Sequence, residues 1–461
     1  MRKKAERQLP MDFAGAQKLT KEWYALYKDI HAILDANPAV TDLVHADLTN
    51  GQTKLKRNVE GVASECILRL ALVQQIEQLS FRETIVRVDD SQMLRFFCRF
   101  YDDPVLSHSK YAMLVNMIQP ATWDKINEII VKFARDKKGF KGRKLRIDTT
   151  AVESDIHFPT DSSLLLDGIE VLSRVIGRVK KIDETLTGKW RARLKNARKL
   201  AQKIARGGKQ LHKATRKCWY AKLIAAAERA LAKALEVKAR IDAGKGQFSS
   251  PEEWWALQEL SLEITHYSPL VEKCLHQARE RVLNEIPVPH AQKLFSIVEP
   301  HTELLIRGKA GKEIEFGHMV ELQQIEKGLI TGYKVHDKRP SEPPLAEQAV
   351  KRHFEIFGSK PDCVAGDKGF YSKETVERIE QDGVEHVCIP KKGKRNAAED
   401  EKEKSYWFKA AQAFRAGIEG TVSVLKRAFG LSRCLREGFA HFASWVATGV
   451  LAHNLVLLTR K

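Results

Sequence analysis

The chain has 461 residues, enough for two to four domains at roughly 100–200 residues each. Hydrophobic content of 43% and charged content of 30% exclude a disordered chain. No apolar run reads as approaching the roughly 20 residues of a membrane span, so no membrane partner is expected. The formal net charge of +19 attracts polyanions, and nucleic acid is the commonest of these.

The basic start MRKKAERQLPMDF has no apolar stretch after it and does not read as a secretory signal. Cys66, Cys98, Cys218, Cys274, Cys363, Cys388 and Cys434 are scattered and never in C-x-x-C spacing. That argues against a zinc site and a disulfide framework, and points to the reducing cytoplasm. Residues 1–54 read as a helical extension and 55–138 as a helical domain. Leu68, Leu72, Ile76 and Leu79 recur on one helical face. Ser80 and Glu83 form a capping box that opens the next helix. Further helices are expected over Gln92–Arg99 and Ala121–Phe133.

At Lys144 the pattern changes. Residues 144–152 look like a strand carrying Asp148. This strand belongs to a first catalytic piece, 139–165. A helical insertion, 166–300, follows, with breaks at Gly207–Gly208 and at 244–251. Residues 174–222 hold 17 Lys/Arg against two Asp/Glu, a net of +15, so most of the excess charge sits in about a tenth of the chain. Lys189, Arg191, Arg193, Lys195, Arg198 and Lys199 lead the DNA-contacting candidates. Charge-rich helices are usually only solvated, but their charge is then balanced, and this one is not. Trp190 and Trp219 read as core residues of the helical hairpin rather than as stacking platforms.

Residues 301–461 alternate strand and helix. Strands are expected at Thr302–Ile306, Ile314–Leu322, Leu329–Val335, Asp362–Ala365 and His386–Ile389. Helices are expected at Leu345–Phe357, Lys373–Gln381, Trp407–Phe429 and Phe439–Leu458, with a charged loop at Lys391–Glu403. This order is that of an α/β, ribonuclease H-like mixed sheet, with its first strand split from the rest by the insertion. Such folds carry out phosphoryl transfer with two divalent metals, which need carboxylates from separate segments. Asp148 at a strand end, Asp367 in G-D-K-G-F-Y and Glu419 in mid-helix are the candidate catalytic and metal-binding acids. Taken singly, each has a plain reading as a turn, cap or surface acid. Glu153, Asp155, His157 and Asp161 are secondary candidates near Asp148.

The helix reads Arg415-x3-Glu419-x6-Lys426, which resembles the third-acid signature of DDE transposases of bacterial insertion sequences. Gln412 stands where that signature usually has Tyr. Residues 147–165 resemble the first-acid segment of the family, 315–320 its second strand, 365–371 its second acid, and 55–135 its helical N-terminal domain. The resemblance implies Mg²⁺, with Mn²⁺ substituting, held by Asp148, Asp367 and Glu419. It also implies double-stranded DNA gripped by Arg415 and Lys426, a homodimer or higher oligomer on that DNA, and a place with the bacterial nucleoid. The implied activity is cleavage at transposon-end inverted repeats, then transfer of the 3′-hydroxyl strands into target DNA. A nuclease of the same fold without strand transfer and a catalytically silent DNA-binding relic are the alternatives.

Overall fold

A computed structural model describes residues 20–50, 62–191, 193–309 and 312–460. The border expected between residues 54 and 55 lies outside the described residues. The chain separates into two compact units, Met1–Asp155 with Gly317–Lys461, and Ile156–Phe316.

The first unit begins with helices α1 (Lys21–Asp35), α2 (Ala39–Asn50), α3 (Ser64–Ile76), α4 (Phe81–Asp90), α5 (Gln92–Phe97), α6 (His108–Asn116) and α7 (Pro120–Lys138). Helix α4 starts as expected: Ser80 Oγ accepts from Glu83 N at 3.3 Å, and Glu83 Oε2 accepts from Ser80 N at 2.8 Å. Helix α3 differs from the one-faced helix expected. Every one of its residues is buried, and Leu79 falls beyond its end. Its polar residues are therefore inside, and they are paired. Arg99 Nη1 meets Glu65 at 2.6 Å and Arg99 Nη2 meets Asp35 at 2.5 Å. Arg69 joins Asp35 at 2.8 Å. Burying charge is tolerable only when it is neutralised and hydrogen-bonded in this way.

Strand β1 (Lys144–Glu153) follows, and the chain then leaves for the second unit. That unit holds α8 (Asp161–Ile182), α9 (Glu184–Thr187), α10 (Leu194–Gly207), α11 (Lys213–Asp242), α12 (Pro251–Ala278) and strand β2 (Glu303–Lys309). Both expected breaks, at 207–208 and within 244–251, separate helices here. Helices α8, α10, α11 and α12 share their own apolar core, with Trp190 and Trp219 packed against it. The two tryptophans are core residues, as expected.

Strand β3 (Lys312–Ile325), which pairs with β2, leads back into the first unit. There follow β4 (Ile330–His336), α13 (Pro343–Phe357), β5 (Cys363–Ala365), α14 (Lys373–Gln381), β6 (His386–Cys388), α15 (Ala397–Lys404), α16 (Tyr406–Ala428) and α17 (Phe439–Thr459). The sheet is mixed. β3 is antiparallel to β1 and to β4, while β5 is parallel to β1 and β6 parallel to β5. Helix α15 occupies part of what reads as a charged loop. Its start is a capping box in which Asn396 and Glu399 exchange hydrogen bonds, and this favours helix despite the charge.

Helix α17 corrects another expectation. It is 21 residues long and apolar enough to cross a membrane by length and composition, and 78% of its most apolar window is buried inside the protein. Its polar residues break the run in sequence but have roles in the core. Asn454 accepts from Ile330 N at 3.0 Å and donates to Ile330 O at 2.8 Å, fixing the start of β4.

Candidate active site

Side chains alternate across a strand, so Arg146 and Asp148 share one face of β1 and Thr149 takes the other. Helix α16 packs against β1, β5 and β6. Arg146 locks that packing. Its guanidinium donates to Gln324 Oε1 at 2.8 and 2.5 Å and to Phe414 O at 2.5 Å, and it stacks over the Phe414 ring at 4.7 Å. Gly417 makes room for it, since a Cβ there would fall on Arg146 Nη1. Gly417 is thus a contact point between helix and sheet.

The parallel pairing of β1 with β5 aligns Lys144 with Cys363 and Arg146 with Ala365. Continuing that register by two residues puts Asp367, just past the carboxyl end of β5, beside Asp148, which lies in the middle of β1 and not at the strand end expected of it. In open α/β sheets ligands gather at this kind of position. Asp148 is mostly buried, and its Oδ1 accepts from Thr149 N at 2.8 Å. Burial raises its pKa above the usual carboxylate range. Arg415 and the Thr149 N–H oppose this, and the charges of Asp367 and Glu419 reinforce it. The three acids therefore feel one another across the site.

Arg415 on α16 spans two of them, with Nη2 3.6 Å from Asp148 and Nη1 3.3 Å from Glu419. Its Nε is buried with no hydrogen-bond partner among the described residues. Glu419 is 68% exposed. Lys426 lies seven residues further along the same helical face and is half-buried. Among the described residues, no three His, Cys, Asp or Glu side chains are drawn tightly enough together to hold a metal as they stand. The guanidinium between Asp148 and Glu419 accounts for the spacing of that pair.

Gln412, at the position that departs from the signature, ties α16 to the strand ends. Its Nε2 donates to Cys388 O at 2.6 Å and to Gly366 O at 3.3 Å. A second residue beside the acids was not legible in sequence. Glu342 precedes two prolines at the start of α13 and reads as a cap. Its side chain makes no cap, and accepts instead from Thr149 Oγ1 at 3.0 Å.

The secondary candidates fall elsewhere. Glu153 and Asp155 pair with Arg433 at 3.2 and 3.5 Å. Asp161 is buried in the second unit, bound by Gln277 and Arg281 at 2.9 Å each. His157 binds Asp167 at 2.8 Å, and this hydrogen bond pushes its pKa up to about 9. Each of these four side chains thus has a pairing partner of its own.

In the second unit, Ala197, Ala201 and Ile204 bury one stripe of α10, leaving Lys195, Arg198, Lys199, Lys203 and Arg206 exposed. Lys189, Arg191 and Arg193 are exposed just before it. Arg198 is partly neutralised by Glu170 at 2.7 Å.

Residues 319–455 match the family model of the transposase DDE domain, which is consistent with a DDE transposase. The match runs from β3 into α17. It includes Asp367, Arg415, Glu419 and Lys426 and leaves out Asp148. No curated protein and no solved structure matches the chain.

Proposed function

We propose, taking the transposase DDE domain as the premise, that this protein binds the inverted repeats at transposon ends, cleaves the DNA there and joins the 3′-hydroxyl strands to target DNA. The observation that carries this reading is the placement of Asp148 on β1 and Asp367 just past the neighbouring parallel β5, with Arg415 linking Asp148 to Glu419. The strand order β4-β3-β1-β5-β6, antiparallel on one side of β1 and parallel on the other, supports a ribonuclease H-like catalytic domain.

The donor chemistry fits a hard divalent cation. All three groups are carboxylates, and burial first, then the like charges of Asp367 and Glu419, push the Asp148 pKa up, a strain that a cation relieves. Asp148, Asp367 and Glu419 are the residues that would hold Mg²⁺, with Mn²⁺ able to substitute. When bound, a pair of such ions activates the attacking oxygen and stabilises the leaving one. Arg415 would grip a DNA phosphate through its guanidinium, with Lys426 further along the same face. The exposed Lys and Arg of 189–199 would neutralise phosphates along the duplex, holding it without reading bases. Helices within 62–135 would recognise the repeats, with α4 as a candidate reading helix. Pairing two cut ends requires at least two copies on the DNA.

The test is a cleavage and joining assay on the DNA flanking this gene. Products should form with Mg²⁺ or Mn²⁺ and vanish in EDTA, while Ca²⁺ should support binding without cutting. Cutting that persists in excess EDTA would sink the metal mechanism. Cutting without joining would favour a nuclease.

A further inference from the structure

Glu342 sits on the face of the sheet opposite α16, and its two carboxylate oxygens have different surroundings. Oε1 accepts from the hydroxyl of Thr149, the residue next to Asp148. Oε2 lies over Gly369. A Cβ at position 369 would fall on Oε2, and the same point is only 2.8 Å from Asp367 Oδ1. Gly369 does not have a left-handed backbone, so space rather than conformation calls for glycine there. The turn is held in place because Gly369 N donates to Asp367 Oδ1 at 2.7 Å. The carboxylates of Glu342 and Asp367 are therefore neighbours, packed over one glycine.

Two adjacent carboxylates repel unless a cation lies between them or one takes up a proton. Among the described residues, neither Glu342 nor Asp367 has a Lys, Arg or His partner within ion-pair distance, whereas Asp148 and Glu419 share Arg415. With no described cation within ion-pair distance of the two carboxylates, and the nearby Lys392 donating instead to Gly369 O at 3.2 Å, a bound metal ion is a fitting source of the balancing charge.

From this arrangement we infer that Glu342 is a fourth carboxylate of the acidic site, supplying an oxygen, beside that of Asp367, to the divalent cation bound there. This rests on the metal-dependent reading above. The glutamate serves two ends: Oε1 steadies the Asp148 strand through Thr149, and Oε2 faces the cation. A purely positioning role would need only the first.

Glutamine separates the two roles, because its amide oxygen can still accept from Thr149 while the charge is lost. Mn²⁺ binding to the full-length protein, followed by the loss of free-ion EPR signal, is the readout, with thermal melting as the check on folding. Asp148→Asn and Asp367→Asn should weaken Mn²⁺ binding about 10- to 100-fold, and Glu342→Gln about tenfold, with melting little changed. Gly369→Ala should do the same by pushing the Glu342 carboxylate aside, and it tests the same contact should the Glu342 variant prove unstable. If the two aspartate variants lose affinity while Glu342→Gln and Gly369→Ala keep it, Glu342 is not a metal-site residue and the three-acid reading stands. If no variant, including the aspartates, changes Mn²⁺ binding, the metal-dependent reading itself falls.

Discussion

The two units handle charge in opposite ways. In the first unit charge goes inward. Arg69, Arg99, Glu65 and Arg146 are buried or nearly so, each matched by a specific partner, and Asp148 sits at the end of this paired interior. In the second unit most charge goes outward, with Asp161, Asp183 and Glu299 as buried exceptions, and the interior of the helical bundle is aliphatic and alanine-rich. A buried, paired charge fixes geometry to within a few tenths of an ångström, which a reaction centre needs. An exposed, unbalanced stripe fixes nothing but attracts a polyanion of any sequence. One chain thus separates precision from affinity.

That contrast can be broken by substitution, and the largest effect belongs to the first unit. Arg99→Ala should leave Glu65 and part of Asp35 without a partner in the interior and cost about 3–5 kcal/mol, read by chemical denaturation. Arg198→Ala, which breaks an exposed pair in the second unit, should leave the denaturation midpoint almost unchanged. Equal losses from the two would remove the distinction.

If the second unit holds DNA as proposed, its charge should count in binding rather than in stability. Replacing Lys189, Arg191, Arg193, Lys195, Lys199 and Lys203 by Gln should weaken binding to every DNA sequence alike, about 10- to 100-fold. Each lost phosphate contact should also make the plot of log K against log salt shallower by about 0.9. An unchanged salt slope would make this face a solvated surface.

A smaller effect concerns Asp148 itself. Its pKa is raised, chiefly by burial, so the folded state holds the proton more tightly than the unfolded chain does. The charged form therefore costs stability above that raised pKa, and the cost disappears as pH falls through it. Asp148→Asn should raise the melting temperature at neutral pH without added metal, and the gain over wild type should shrink at acid pH. A variant that melts lower would show that the carboxylate is well accommodated. The smallest effect is at His157. Its pKa, pushed up to about 9 by Asp167, should return towards the ordinary value of about 6.5 in Asp167→Asn, as followed by NMR. The pair's modest stabilisation is full below the unfolded pKa and is lost as pH rises through about 9.

Much of the fold was readable wherever one face of an element meets water. The strands from β3 to β6, the two breaks in the insertion and the Ser80 cap all carry local patterns. The pattern failed where elements are wrapped on all sides. Helix α3 hides Arg69 and Glu65 inside and shows no polar face, whereas the apolar helix expected at Phe439–Leu458 is present and only its span-like length was hidden by Asn454 and His453. Asp367 stands out in sequence just past a strand and Glu419 between helix glycines, whereas Asp148, expected at a strand end, lies in the middle of β1 because the strand runs on to Glu153. Glu342 was not legible, since only the return of the chain after α13 brings Gly369 beneath it. Gln412 and Arg146 were likewise silent, because their partners are backbone carbonyls and a glutamine far along the chain.

The most direct test of the acidic site is the joining of a pre-cut end, taken from the DNA flanking this gene, to plasmid DNA in Mg²⁺. Wild type should be compared with Asp148→Asn, Asp367→Asn and Glu419→Gln, each first shown to bind the same DNA. Wild type should yield joined product, and each variant should fall by about a thousandfold or more while binding holds. Joined product from any of the three at the wild-type rate would contradict that residue's place in the site.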